Sequence, residues 1–412
     1  MDQPCKTDQA SSVTTPRPRL AAPYCDGVIW FGQVDWWYHN RGHASTRMAT
    51  RVARKVPTVW INSIGMRLPV PGKTQMVWTR YLRKLRSSIK GLKQDPNTGM
   101  WAYSPLFIPL FTPQWTKING FLLAQQVKLI KRRLGIRQAS ACISNPTTIA
   151  AVERLDWVRV VFDRCDDFTT LPDVNQPFMA QLEGRLLDHC DHAAYVNVSL
   201  YERERQRVAD AQLMGHGVDF DHLSACRPLE GPPTDAPPAM AGLARPIVGF
   251  FGGMDDYRMD VELMVKIARH VAPGTFTLIG PAQMNLAPVL AEPNVVHIGQ
   301  MPPEDLGIHA AQFDVGVIPF LRNEFNVSCN PTKLKEYLAL AFPIVATQLP
   351  AFDQYDDLIG MAEDHGQFLA LLDQALGDHS ADKASHRREA VAGDSWDRVA
   401  DRIAKMLSIH LP

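Results

Sequence analysis

The chain has 412 residues, too many for one ordinary hydrophobic core, so we expect two domains of roughly 200 residues each. Hydrophobic residues make up 46% of the sequence and charged residues 21%, as in globular proteins, and no apolar run is long enough for a membrane-spanning helix. The seven cysteines show no C-x-x-C pair and no metal-ligand spacing, which argues against a disulfide framework or a zinc module and fits reduced thiols.

The net charge of zero conceals two halves of opposite sign. Residues 1–225 hold 29 Lys and Arg against 19 Asp and Glu, whereas residues 226–412 hold 14 against 24. The two halves therefore meet different partners, or each other. Basic residues are concentrated in segments 80–90 and 128–137, and neither segment has the interleaved aromatic residues of a nucleic-acid platform, so no nucleic-acid partner is expected.

Segment 80–90 also has an apolar side. Its apolar residues recur at helical spacing opposite the cations, which predicts a surface helix that rests on anionic lipid. A basic face that is simply solvated is the alternative. The apolar residues concerned are Tyr81, Leu82, Leu85 and Ile89.

The chain begins with a polar segment, 1–23, that has no apolar central region. We predict a disordered tail and not a signal peptide, so the expected location is the cytoplasm, with the inner face of the membrane as a peripheral site. Downstream, short apolar runs alternate with helix-like patterns, which indicates buried parallel strands in β-α-β units. The runs are 27–31, 57–61, 139–143, 158–162, 193–198, 247–251, 275–279, 295–298, 315–318 and 344–346.

These runs predict an α/β fold with two tandem Rossmann-like domains and a cleft between them. The N-terminal domain spans 24–226 and contains an insertion of loops and short helices near 67–116. A Pro-rich linker occupies 227–246. The C-terminal domain spans 247–412, and its last helix can pack back on the N-terminal domain.

The loop after the first strand is rich in aromatic residues. Trp36 and Trp37 are predicted to form a hydrophobic lid or a sugar-stacking platform at the cleft, with core packing of at least one as the alternative. His43 is a candidate contact to an acceptor or donor molecule, or else a residue at the start of the next helix.

Three carboxylates follow the predicted strand 158–162. Asp166 projects from a strand's carboxyl end toward the cleft, and Asp163 and Asp167 lie beside it near Arg164. Close carboxylates raise one another's pKa, which favours a proton acceptor for a substrate hydroxyl. Asp166 is therefore the candidate general base and Asp167 the second choice. The alternative is that these side chains cap the next helix and pair with Arg164.

The strand 247–251 leads into a glycine-containing loop and then a helix, as in phosphate-binding sites. Gly252 and Gly253 allow the backbone to approach a ligand, and Arg258 supplies positive charge. Two glycines alone are weak evidence, because tight turns use them as well.

The segment 330–347 predicts a second part of the same site. Asn330 is a good N-cap and Pro331 suits the first helical position, so a helix is expected to begin here, with Thr332 among the site residues. Lys333 adds charge for a diphosphate, and Glu336, one turn later, suits a neutral diol such as ribose. A capped amphipathic helix with a surface Lys-Glu pair is the alternative.

In its motifs, the C-terminal half resembles the donor domain of GT-B glycosyltransferases, especially family 4. The resemblance implies that the Gly252-Gly253 loop and Lys333 bind a nucleotide diphosphate, that Glu336 binds ribose, and that the loop of Gly299 and Met301 borders the base. The matching segments are 247–253, 276–281, 294–299, 313–320, 331–339 and 342–347.

One position departs from the retaining members of family 4. They carry a Glu-x7-Glu pair, and eight residues before Glu336 this chain has Ser328, which can hydrogen-bond a sugar but offers no carboxylate. Segments 162–170 and 216–219, together with Lys333, resemble the inverting glucuronosyltransferase of xanthan assembly. That resemblance implies that Asp166 is the general base and that the His216 loop reaches the cleft, a simple turn being the alternative.

The predicted function is transfer of a sugar from a UDP or GDP type donor to a lipid-linked or glycan acceptor, with inversion. No cofactor and no metal are expected, because no D-x-D pair follows a donor strand and cations can neutralise the diphosphate. The alternatives are a nucleotide-sugar epimerase of the same architecture and a non-catalytic nucleotide-sugar-binding protein.

Overall fold

The computed structural model describes residues 24–37, 43–64, 86–87, 90–108, 110, 112–171, 174–327, 329–330 and 332–410. Ser328, the predicted tail 1–23 and most of the predicted stripe from Tyr81 to Ile89 lie outside these residues. Among the described residues, no helix combines the length and the hydropathy needed to cross a membrane.

The described N-terminal half contains eight strands and several helices. Its strands are β1 (Gly27–Phe31), β2 (Thr58–Ile61), β3 (Leu92–Gln94), β4 (Trp101–Tyr103), β5 (Ala139–Ile143), β6 (Val160–Arg164), β7 (His192–Tyr195) and β8 (Asp210–Leu213). Its helices are α1 (Ala44–Val52), α2 (Pro113–Leu134), α3 (Ile149–Val152), α4 (Gln176–His189), α5 (Val198–Glu204) and α6 (Phe220–Ala225), with 3-10 turns at Pro146–Thr148, Phe168–Thr170 and Arg205–Arg207.

The C-terminal half contains six strands. They are β9 (Ile247–Phe251), β10 (Thr275–Ile279), β11 (Val295–Gly299), β12 (Val315–Ile318), β13 (Ile344–Thr347) and β14 (Gly360–Ala362). The helices are α7 (Val261–Val271), α8 (Ala287–Leu290), α9 (Pro303–Ala310), α10 (Glu324–Val327), α11 (Lys333–Leu340), α12 (His365–Leu376), α13 (Ala381–Glu389) and α14 (Trp396–Met406), with a 3-10 turn at Pro350–Tyr355.

Each half forms one sheet. The N-terminal sheet has the order β3-β4-β2-β1-β5-β6-β7-β8 and is parallel except for the β3–β4 pair, and the C-terminal sheet has the order β11-β10-β9-β12-β13-β14 and is parallel throughout. Strands such as Ile247–Phe251 are buried along their whole length because helices cover both faces of a parallel sheet. The predicted α/β fold with two Rossmann-like domains is confirmed.

The structure corrects several predicted elements. The insertion near 67–116 was predicted as loops and short helices, but its described part contains β3 and β4, and helix α2 already begins at Pro113. The strand predicted at 158–162 is Val160–Arg164, so Asp163 and Arg164 lie within it. Residues 227–246 contain neither helix nor strand.

The last helix, α14, packs against the N-terminal domain. Trp396 and Ile403 are buried in the same cluster as Val28 and Met48, although the preceding residues belong to the C-terminal domain. The chain therefore crosses between the domains twice, first after residue 226 and again near Ser395. Val218 and Ser395 pair in an isolated bridge beside these crossings. Opposite charges meet at this contact, where Arg51 lies 3.1 Å from Asp397 and Lys55 lies 2.9 Å from Asp401.

Candidate active site

The glycine loop and the helix start of the C-terminal domain lie against each other. Gly252 follows β9 with a φ of 140°, a conformation that favours glycine, and a Cβ there would overlap Cε and Nζ of Lys333. A Cβ at Gly280, after β10, would overlap the carbonyl oxygen of Gly252. The absence of side chains at both glycines therefore leaves room for Lys333 at the carboxyl end of β9.

Lys333 is the first residue of α11 and is half-buried. Burial, together with the charge of Arg258, lowers its pKa to about 8, although Glu336 and Asp255 act in the opposite direction. Its Nζ lies 5.8 Å from the centre of the Phe250 ring. The charged amine has little compensation from neighbouring groups, so an anionic ligand would stabilise it.

Arg258 adds a second cation to this surface. Its guanidinium lies over the rings of Phe320, at 5.4 Å, and Phe325, at 4.9 Å, which hold it against the protein. Its charge acts on both Lys333 and the Cys329 thiol. Two cations thus face the region where the glycine loop meets α11, as a diphosphate requires.

The helix start differs from the predicted one. Asn330 does not cap the helix, because its Nδ2 donates to the carbonyl oxygen of Val196, in the N-terminal domain, at 2.7 Å. Thr332 is the residue at the cap position, and its side chain makes no capping hydrogen bond. The first turn of α11 therefore has no side-chain cap, which suits an anion at its positive end.

Glu336 lies one turn into α11 and is half-buried. Its charge acts on Lys333 and also on Arg47, which belongs to helix α1 of the N-terminal domain. Arg47 also forms an ion pair with Asp219, and Arg51 lies 2.9 Å from the same carboxylate. Arg47 was not among the predicted site residues. The i, i+4 spacing of two arginines in α1 was the available signal.

Gly299 and Met301 lie at the end of β11. Gly299 has a φ of 86°, and its carbonyl oxygen accepts a hydrogen bond of 2.8 Å from the N–H of Gly280. Met301 is partly buried against the C-terminal core. Both residues therefore continue the edge that Gly252 and Gly280 begin.

Asp166 faces this surface from the N-terminal domain. It lies two residues beyond β6 and is half-buried, and its Oδ1 accepts a weak hydrogen bond from Sγ of Cys329 at 3.6 Å. Burial and the Asp166 carboxylate raise the pKa of the Cys329 thiol, so the thiol remains protonated. Cys329, which sequence reasoning had not singled out, thus joins the donor-side loop to Asp166.

Asp163 and Asp167 have structural partners. Asp163 is buried within β6 and accepts hydrogen bonds from Ser45, at 2.6 Å, and Ser144, at 2.7 Å, while burial raises its pKa. Asp167 is buried and caps the turn Phe168–Thr170. Burial opposes its ionisation, but hydrogen bonds from Thr169 and Arg203 outweigh burial and hold its pKa below the usual range. This geometry favours Asp166 over Asp167 as a base.

Arg164 forms its ion pairs with two glutamates and not with the three aspartates beside it. It is buried and pairs with Glu183, at 2.5 Å, and Glu204, at 2.9 Å. Its Nη1 also donates to the carbonyl oxygen of Asp166 at 2.6 Å. Arg164 therefore fixes the backbone of the loop and leaves the Asp166 carboxylate to the cleft.

The aromatic loop is divided between core and surface. Trp36 is only 2% exposed and its Nε1 donates to Asp95 at 3.1 Å, so it packs in the core and cannot stack on a sugar. Trp37 is half-buried, with Nζ of Lys90 at 4.7 Å from its ring centre. Of the two tryptophans, Trp37 alone remains available as a platform.

Two histidines lie at the cleft. His43 is the N-cap residue of α1 and accepts a hydrogen bond from Gln33 Nε2 at 2.8 Å. His216 is buried, and burial together with the charges of Lys335 and His43 lowers its pKa to about 3. Its carbonyl oxygen accepts from Lys335 at 2.7 Å. His216 is therefore neutral at physiological pH. Through the bond from Lys335 to its carbonyl oxygen, its loop is attached to α11.

A cavity of about 520 Å³ lies elsewhere in the C-terminal domain. It opens beside the ends of β13 and β14 and is lined by Asp260, Thr347 and His365, among others. Lys333 and Glu336 do not line it. The candidate donor site is thus a face of the interdomain cleft and not this enclosed space.

This chain is similar to a known protein family and to several solved structures. Residues 245–378 match the family model described as glycosyl transferases group 1. A Bacillus subtilis protein named as a teichuronic acid biosynthesis glycosyltransferase is 23% identical over 279 residues, which cover 62% of this chain and 68% of that protein.

Three solved structures show the same fold at 11–12% sequence identity. The Thermosynechococcus elongatus sucrose-phosphate synthase has a TM-score of 0.66 and 12% identity, covering 92% of this chain and 98% of its own. An Escherichia coli trehalose-6-phosphate protein bound with UDP-2-fluoro glucose has a TM-score of 0.63 and 11% identity, covering 94% and 100%. Anabaena HepE in complex with UDP and glucose has a TM-score of 0.62 and 12% identity, covering 93% and 100%.

The narrower resemblance to the xanthan glucuronosyltransferase stays a prediction. The resemblance to GT-B enzymes is confirmed, because the family match covers most of the C-terminal domain and the structural likeness extends over both domains. The chain is a glycosyltransferase of the GT-B fold.

Proposed function

We propose that this enzyme transfers a sugar from a uridine or guanosine diphosphate sugar to a lipid-linked or polysaccharide-precursor acceptor, with inversion of the anomeric centre. The observation that carries the proposal is the placement of Lys333 against Gly252, with Asp166 facing the same loop through Cys329. This arrangement supports a leaving-group site and a base on opposite walls of one cleft.

The donor assignment is supported from two directions. Lys333, Arg258 and the uncapped first turn of α11 supply positive charge for a diphosphate, and Glu336 supplies an acceptor for ribose hydroxyls. Two of the structural neighbours contain UDP or a UDP sugar. These cations would stabilise the departing diphosphate, so we propose turnover without a divalent metal.

In the proposed reaction, Asp166 takes the proton of the acceptor hydroxyl. The hydroxyl oxygen then bonds to the anomeric carbon while the bond from that carbon to the diphosphate oxygen breaks. The electron pair leaves with the diphosphate, where Lys333 and Arg258 neutralise it. One displacement inverts the configuration, and Ser328, where retaining relatives have Glu, agrees with this route.

The acceptor is proposed to be presented at the inner face of the cell membrane. The N-terminal half carries the excess of Lys and Arg, which anionic lipid attracts. The relative named for teichuronic acid biosynthesis supports an acceptor of the glycan-assembly class.

The test compares Asp166→Asn with Asp167→Asn. We expect Asp166→Asn to bind donor normally and to lose roughly 10²–10⁴-fold in turnover, the usual contribution of a general base. Asp167→Asn is the matched control, one residue away, and should instead lower stability because it weakens a cap and an ion pair. NMR of the product should show an inverted anomer.

A screen of nucleotide sugars, with nucleotide release followed with and without acceptor, identifies the donor and separates transfer from epimerisation. A retained anomer, or near-normal turnover in Asp166→Asn, would overturn the mechanism. Nucleotide release that no acceptor accelerates would favour the epimerase alternative.

A further inference from the structure

Helix α2 presents apolar side chains to solvent. Phe121 is 53% exposed and Leu129 66% exposed, and Ile118 and Leu122 are exposed as well. Positions 118, 121, 122 and 129 fall on one face of a helix. The opposite face, with Leu123 and Val127, is buried in the N-terminal core. The exposed stripe is therefore additional to the face that holds the helix in the fold.

The preceding loop extends this stripe. Leu106 is 64% exposed, and Leu110 is also exposed. The side chain of Gln126 accepts from the N–H of Leu106 and donates to its carbonyl oxygen, at 2.8 and 2.9 Å, and Asn119 makes the same pair of bonds with Ile108 at 2.8 and 2.7 Å. These paired amide bonds hold the loop backbone at Leu106 and Ile108 against the helix.

Cations surround the stripe, and acids are missing from it. Lys117, Lys128, Arg132 and Arg133 are exposed on α2. No Asp or Glu occurs from Pro96 to Val152. Half of the large apolar side chains that are exposed in the described part of the chain lie within 106–129. Apolar side chains among cations, without acids, are the composition of a surface that enters anionic lipid.

The surface begins at the cleft side of the domain and extends along α2 away from it. Strand β4 runs parallel to β2 and, through it, to β1, so Tyr103 ends β4 at the sheet edge where Asp166 follows β6. The loop with Leu106 and the start of α2 continue from that edge. An acceptor embedded in a membrane at this surface would reach the cleft from its open side.

We propose that the stripe of α2 and its loop, comprising Leu106, Leu110, Ile118, Phe121, Leu122 and Leu129, is the surface by which this enzyme docks on an anionic lipid bilayer. The location of the acceptor rests on the proposed function, but the docking does not. A second copy of the chain is a poorer occupant, because a symmetric contact would bring cations against cations.

The experiment is co-sedimentation of the full chain with vesicles of phosphatidylcholine that contain or lack phosphatidylglycerol. We expect binding to the anionic vesicles that weakens at high salt. The double variant Phe121→Ser/Leu129→Ser should lower the partition coefficient at least about tenfold. Leu290→Ser/Ile308→Ser removes two exposed apolar side chains from the C-terminal domain and serves as the matched control, with no change expected.

A charge variant tests the second contribution. Lys117→Gln/Lys128→Gln should weaken binding to anionic vesicles about fivefold or more and reduce its dependence on salt. Absence of vesicle binding by the unchanged chain, or equal binding by Phe121→Ser/Leu129→Ser, would overturn the proposal. So would a dimer in sedimentation velocity that this double variant dissociates.

A measurement of donor binding distinguishes the docking proposal from the proposed function. Phe121→Ser/Leu129→Ser should bind nucleoside diphosphate with unchanged affinity and act normally on an acceptor that is soluble in water. Loss of vesicle binding together with intact donor binding supports the docking surface. Failure of the unchanged chain to bind any nucleotide would refute the proposed function while leaving the docking result to stand.

Discussion

The lowered pKa of Lys333 makes donor binding depend on pH. Burial beside Arg258 lowers the pKa to about 8, against an ordinary value of 10.5. At pH 7 the ligand-free enzyme therefore carries a charged Lys333, and at pH 9 about nine-tenths of it carries a neutral amine. A diphosphate stabilises the charged form, so binding at pH 9 must first restore the proton.

The magnitude follows from this linkage. If the bound diphosphate raises the Lys333 pKa well above 9, the dissociation constant for UDP or GDP should increase about tenfold from pH 7 to pH 9, or about 1.4 kcal/mol. Calorimetry at pH 9 in buffers of different ionisation enthalpy should show uptake of about 0.9 proton per nucleotide. At pH 7 the uptake should be close to zero.

Lys333→Arg is the control, because a guanidinium stays charged throughout this range. Its nucleotide affinity should change little between pH 7 and pH 9. Wild-type affinity that is independent of pH, or a pH dependence that persists in Lys333→Arg, would refute the assignment of Lys333 to the diphosphate.

Two further predictions concern the same loop and its charge. Gly252→Ala should displace Lys333 and weaken nucleotide binding at least about tenfold, because φ is positive there and a Cβ would overlap the lysine. Gly253→Ala is the control. Nothing lies within 4 Å of its new Cβ, so it should bind normally in the same calorimetric assay. Turnover should persist in a chelator, because Lys333 and Arg258 carry the positive charge; activity that vanishes and then returns with magnesium or manganese would contradict this.

Most central strands were predictable because each is a short, buried apolar run. Of the four edge strands, only Val295–Gly299 was predicted, from its own apolar run. Leu92–Gln94 and Gly360–Ala362 are three residues long and carry polar or small residues, since an edge strand buries less of its surface. Their pairing depends on the neighbouring strand and not on a local pattern.

Parts of the candidate site could be predicted where the pattern is local. Spacing singled out Gly252, Lys333 and Glu336, which the structure places near one another. The alternative that the carboxylates cap the next element is correct for Asp167, which caps the turn Phe168–Thr170. Distant partners were out of reach. Asn330 has the composition of an N-cap, but its amide bonds the carbonyl oxygen of Val196, and Arg164 pairs with Glu183 and Glu204 on two other helices.

Helix α14 has a consequence for the engineering of hybrid enzymes. Because its buried face packs in the N-terminal domain, the C-terminal domain is a continuous module only as far as the residues just before Ser395. A chimera that exchanges C-terminal domains at the linker alone would separate α14 from the N-terminal surface against which it packs. The exchange should use two junctions, one in the linker and one at Asp394–Ser395. Each domain then keeps its own core, and α14 keeps its contact with the N-terminal domain.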